Sequence, residues 1–270
     1  MKFKDLYIVT GKGGVGKSLT SLALTKSISD LNHNKNVYYF SFEQNEDKEL
    51  IKSLDINTVE LTHLSSVQEY IARKLNSKTI AKWIVSTSFF KALFDMVPSF
   101  GQLIFLGHII DLAKDEENIV IVDAPASGHL LSTIHSPKVF KDIFKIGPIA
   151  NDIDKMHNFL TNKEHTQCVV VSIPTELAVE EGVELRTELA DEYSISTIEI
   201  LNCDLTLNKF PEDDTPDFIK VKIENQKQLQ MKFQVKYDLH FPLIIAQNQE
   251  QQVKALSDLL IEKMDIFKTK

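Results

Sequence analysis

Gly11-Lys12-Gly13-Gly14-Val15-Gly16-Lys17-Ser18 stands between an apolar run at residues 6–9 and a helical pattern that begins near Leu19. The stretch matches G-x-x-x-x-G-K-[ST], a loop whose backbone cradles phosphates when it joins a strand to a helix. Glycines let such a loop turn its N–H groups inward with no Cβ in the way. The helix that follows adds the positive end of its dipole, so the site suits an anionic polyphosphate. On this reading Lys17 reaches the β- and γ-phosphates and the Ser18 hydroxyl ligates Mg²⁺. The loop residues from Gly11 through Leu19 form the expected nucleotide contact, Leu19 with its backbone N–H only.

Outward from the loop, strands and helices alternate. An apolar run at 37–42 ends at Glu43, and Asn118-Ile119-Val120-Ile121-Val122-Asp123 is β-branched and apolar up to its terminal Asp. The second run reads as a central parallel strand buried on both faces. Its Asp123 is the expected Mg²⁺ partner of Ser18, with Ala124-Pro125-Ala126-Ser127-Gly128-His129 placed as a phosphate-sensing switch. Further strands are expected at 168–173, 195–202 and 241–246, with a short one at 58–62. Helices are expected at 19–31, 176–193, 215–237 and 250–264. Together they predict one domain over 1–270, a doubly wound α/β fold with a mainly parallel sheet. A helical insertion is expected at about 65–114. Its stretch at 99–113 is apolar nearly all round, so it is either deeply buried or covers a partner.

Bulk properties narrow the function. The chain has 270 residues, 43% of them hydrophobic, enough for one large core. Its formal net charge is −8 and no basic run stands out, which disfavours a nucleic-acid partner. Cys168 and Cys203 are far apart and form no C-x-x-C, so neither a disulfide scaffold nor a zinc knuckle is expected. Among the histidines, His63, His108, His129, His135, His157 and His165 show no ligand spacing. No apolar stretch is long enough without charges to span a membrane, and the first strand begins at once, so a cytoplasmic protein is expected.

Lys12 makes the loop GKGGVGKS. That variant resembles the branch of P-loop ATPases that holds nitrogenase iron proteins, MinD/ParA positioning ATPases and the ArsA family. In that branch the extra lysine crosses a dimer interface to the partner's nucleotide; the alternative is a solvated loop lysine. Val122-Asp123-Ala124-Pro125-Ala126-Ser127-Gly128-His129 resembles the ArsA switch sequence, close to D-x-A-P-x-G-H. Val171-Ser172-Ile173-Pro174-Thr175-Glu176-Leu177 and the run from Phe241 also look like that family's segments. The resemblance implies a Mg²⁺-dependent ATPase working as a homodimer, or as a heterodimer with a paralogue, and a hydrophobic protein client. It implies catalytic roles for Lys12, Lys17 and Glu43, an adenine contact for Asn202, and switch roles for Pro125, Gly128 and His129.

The departures are specific. The family's second strand usually ends S-T-D-P, where this chain has Ser41-Phe42-Glu43-Gln44, and Leu19 replaces a second hydroxyl residue. A non-hydrolytic ATP-binding scaffold therefore stays open beside the ATPase, as does a MinD/ParA-like positioning role. The last helix, with Val253, Leu256, Leu259, Leu260 and Met264, is read as core rather than as a membrane-touching tail, because its flank is poor in Lys and Arg.

Overall fold

The computed structural model describes residues 2–42, 47–58, 68–69, 71–72, 76–88, 99–126, 128, 130–135, 148–211 and 215–269. Seven strands form one sheet in the order β3-β2-β4-β1-β5-β6-β7, every named pairing parallel. They are β1 Leu6–Gly11, β2 Asn36–Ser41, β3 Asn57–Thr58, β4 Asn118–Asp123, β5 Thr166–Ser172, β6 Thr197–Leu201 and β7 Leu239–His240. The described helices are α1 Lys17–Leu31, α2 Lys48–Ser53, α3 Lys78–Ser86, α4 Ser99–Ala113, α5 Pro148–Thr161, α6 Glu176–Asp191, α7 Asp217–Phe233 and α8 Gln249–Ile261. This is the doubly wound α/β fold expected from the alternating pattern.

The central strands are apolar at every position because both faces of the sheet are covered. Leu6, Ile8, Val120, Val122, Cys168 and Val170 point to a core shared with α4, α5 and α6. Tyr7, Val9, Ile119, Ile121, Val169 and Val171 point to a second core closed by α1 and α8. Cys168 is fully buried, and desolvation pushes its thiol up to about 12, so it is an inert strand residue. α8 packs along α1, with the Ser27 and Ser257 hydroxyls 2.9 Å apart. Val253, Leu256 and Leu260 are buried there, as the core reading of this helix required.

α4 resolves the choice left open by its sequence. Ile104, Phe105, Ile109 and Ile110 lie under the sheet, where the Phe105 ring meets Phe40 at a centroid distance of 4.5 Å. The helix is apolar all round because it is core. Among the described residues no helix is long and apolar enough to cross a membrane.

The last strand departs from expectation. The apolar run predicts a strand over 241–246, but the residues that pair with β6 are Leu239–His240. Phe241 donates one more backbone bond, to the Leu201 carbonyl at 2.8 Å, and Pro242 then has no N–H to offer. Beyond it the Asn208 side chain takes over, donating to the Leu243 carbonyl and accepting from the Leu243 N–H. The apolar run continues as an irregular segment in which Ile245 is 80% exposed.

Candidate functional site

The winding reverses at β1: β2, β3 and β4 lie on one side of it, and β5, β6 and β7 on the other. In open α/β sheets the crevice at the carboxyl end of such a strand is where ligands bind. The 11–18 loop sits there. Gly16, with φ 92°, is the residue before the first turn of α1, so the loop feeds straight into a helix N-terminus. Val15 is buried and fastens the loop to the core, while Gly13 and Gly14 stand exposed at its tip.

Lys17 and Ser18 open α1. The half-buried Lys17 donates from Nζ to the Lys12 carbonyl at 3.2 Å, which curls its side chain over the loop. Lys12 points elsewhere, its Nζ 2.8 Å from Glu181 Oε1 on α6. Leu19 is partly buried against the α1-side core, so the position that often carries a second hydroxyl is used for packing. Thr20, one residue on, donates its hydroxyl to the Gly16 carbonyl at 2.9 Å and stays within its own helix.

Asp123 ends β4 beside Val9 of β1 and Ser41 of β2. It is the second half of the site, and the fold brings it to the same cavity as Ser18, whose hydroxyl helps to hold its carboxyl down. Two partners come from unexpected places. Tyr39 on β2 donates to Asp123 Oδ2 at 3.3 Å, and Ser21 on α1 donates to Oδ1 at 3.4 Å. Both lie one step from residues the motifs pick out: Ser21 is three after Ser18, and Tyr39 is two before Ser41 on the same face. Neither role has a motif, so only their periodicity could have marked them.

Burial pushes the Asp123 carboxyl above the usual carboxylate range, against the pull of the Ser18 hydrogen bond and the Lys17 charge. A carboxyl raised in this way favours the fold while it is protonated. Its contribution is complete below the ordinary carboxylate range and is withdrawn as pH rises through its raised value. Asp123→Asn is therefore expected to raise the neutral-pH Tm of the unliganded protein. Scanning calorimetry at pH 7 checks this, and a fall in Tm would show that the charged form is favoured.

A cavity of about 320 Å³ opens beside this pair, lined by Ser18, Leu19, Tyr39, Ser41, Asp47, Asp123 and Gln249 among others. A hydroxyl and a carboxylate at the mouth of a phosphate-type loop are the hard oxygen donors that Mg²⁺ prefers, so the residues present fit that ion. Among the described residues no cluster of three His, Cys, Asp or Glu forms a self-contained metal site. Water and a bound ligand would supply the remaining oxygens of a Mg²⁺ ion held here.

Asn202 follows β6 and reaches back to the loop. Its Nδ2 donates to the Val15 carbonyl at 2.9 Å, and its Oδ1 accepts from the Cys203 N–H. A Cβ on Gly16 would lie 2.5 Å from that Nδ2, so the amide and the glycine fit one another closely. The side chain braces the loop, with one N–H and one oxygen lone pair left over.

In the switch segment, Pro125 is half-buried and Gly128 exposed just before the buried Leu130. Ser127 and His129 lie outside the described residues, as does Glu43. Of the stretch at 99–113, which the sequence left as either buried or covering a partner, Ile104 and Ile109 are core residues of α4. The fold thus places Lys17, Ser18, Asp123 and Asn202 around one loop, with Tyr39, Ser21 and Glu181 beside them. No family model matches this chain, and no curated protein is found to be similar to it.

Proposed function

We propose that the chain is a Mg²⁺-dependent ATP-binding and ATP-hydrolysing switch protein of the ArsA type that works as a dimer. The observation that supports it most is the junction of β1 and α1. There a G-x-x-x-x-G-K-S loop opens onto a helix N-terminus, with the buried Asp123 carboxylate lining the same cavity as Ser18 from the neighbouring strand. The loop N–H groups and Lys17 hold the polyphosphate, Asn202 keeps the loop in shape, and its spare amide hydrogen and lone pair are available to a base. Mg²⁺ held by Ser18 and Asp123 would neutralise charge on the phosphate oxygens. Glu43, which follows Phe42 in the sequence, orients the attacking water in this reading. Lys12 adds a second positive charge, supplied to the nucleotide of the dimer partner, itself either a second copy or a paralogue. A hydrophobic protein client is the cargo suggested by the family resemblance.

A second reading, an ATP-binding scaffold without turnover, is favoured by Leu19, whose side chain lines the cavity with no hydroxyl to offer. Calorimetric titration with ATP, with and without Mg²⁺, followed by single-turnover phosphate release, separates the two. In the ATPase reading wild type releases phosphate and Glu43→Gln still binds Mg²⁺-ATP but turns over about 100-fold more slowly. Equal rates in the two proteins would remove Glu43 from the mechanism and favour the scaffold. Absence of ATP binding would end both readings.

A further inference from the structure

The loop carries two lysines, and they are held by different parts of the fold. Lys17 stays over the loop on the Lys12 carbonyl. Lys12 extends to α6, where its Nζ makes a 2.8 Å ion pair with Glu181; the two side chains are 28% and 33% exposed. α6 is brought within reach because it packs tightly on β5. A Cβ on Gly182 would overlap the Ser172 hydroxyl, and Ser172 itself donates to the Ala178 carbonyl at 3.2 Å. Glu181, the residue before that close contact, therefore stands at a set position at the carboxyl end of the sheet. It lies across β1 from Asp123, since β5 and β4 flank β1 on opposite sides.

We propose that Glu181 is a positioning residue that parks Lys12 on α6, so that Lys12 must exchange this carboxylate for the phosphate oxygens of the dimer partner's nucleotide when the nucleotide-bound dimer forms. The inference rests on the reading that the loop binds a nucleoside triphosphate, and it adds an internal competitor to that site. The physical basis is competition between two anions for one ammonium. A lysine is a point charge on a flexible stem and moves between partners with little geometric demand. The carboxylate is its partner in the unliganded chain, and a triphosphate offers more negative charge. A partly exposed pair of this kind is weak, so it delays Lys12 rather than locking it.

Two readouts test this. In the unliganded protein, Lys12 is labelled with an amine-reactive reagent and the modified peptide is quantified by mass spectrometry. Glu181→Gln is expected to raise Lys12 labelling about two- to fivefold with other lysines unchanged. In the second readout, Glu181→Gln is expected to bind ATP about two- to fivefold more tightly than wild type, the range that an exposed ion pair supplies. Structural damage would weaken binding instead. The double variant Lys12→Ala with Glu181→Gln is expected to show no gain over Lys12→Ala alone. If the gain persists without Lys12, Glu181 acts by plain repulsion of phosphate and the proposal falls. Unchanged labelling and unchanged affinity in Glu181→Gln would also overturn it. If wild type binds no ATP, the nucleotide reading fails on its own, and the labelling arm still decides whether Glu181 holds Lys12.

Discussion

Replacing Lys17 with alanine is expected to abolish ATP binding at ordinary concentrations, a loss of at least about 100-fold in affinity. Lys17 is the cation whose side chain folds over the loop, and in the unliganded chain its ammonium donates to the Lys12 carbonyl. Its ammonium is free to turn to a phosphate while its backbone stays in the first turn of α1. Charge-assisted hydrogen bonds contribute about 1.5–3 kcal/mol each, and each 1.4 kcal/mol is tenfold in affinity. One or two such bonds to phosphate oxygens therefore account for the expected factor. The fold should survive, because the half-buried side chain supports no core contact. Calorimetric titration with ATP, beside circular dichroism to verify folding, checks the result. Retention of wild-type affinity would mean that phosphate is not held by this loop.

Gly11→Ala should strike the fold rather than the ligand, with a loss of about 3–5 kcal/mol in stability. Gly11 ends β1 opposite Val171 of β5 and has φ 146°, which side-chain-bearing residues rarely adopt. A Cβ there would overlap the Val171 carbonyl oxygen, a backbone atom held in the ladder, and would press on the Val15 side chain. Overpacking costs about 1–3 kcal/mol and a strained backbone conformation costs a similar amount. Neither can relax without breaking the β1–β5 pairing or lifting the loop. Urea unfolding should show the midpoint falling with little change in slope, and Tm should drop by roughly 10 °C. A loss below about 1 kcal/mol would show that the loop does not leave β1 in this conformation.

Much of this architecture is legible along the chain because it depends on near neighbours. The β-branched run from Ile119 to Val122 can hardly be anything but a strand buried on both faces, and the loop between β1 and α1 has a local motif. Asp123 was legible for the same reason, as the polar residue ending an apolar strand. Ser99–Ala113 was legible as a helix but not as core or partner surface. A helix apolar all round has no preferred face, and only the sheet above Ile104 and Ile109 settles which role it has. The run from Phe241 misled, because five apolar residues suggest a strand whether or not a ladder is available to receive them. There Pro242 and the Asn208 side chain outweigh composition.

The sequence by itself determined the order of strands and helices, the phosphate-type loop with Lys17 and Ser18, and the acid at Asp123, since each is written in contiguous residues with a fixed period. Tertiary structure alone decided which distant groups meet them. Tyr39 and Ser21 reach Asp123 because β2 pairs with β4 and α1 lies over them both. Asn202 braces Val15 from a residue 187 positions away. Glu181 holds Lys12 because α6 returns beside β1 after crossing β5. A contact between residues so far apart leaves no periodic trace in the chain. It exists only once burial of the two sheet faces has chosen the strand order.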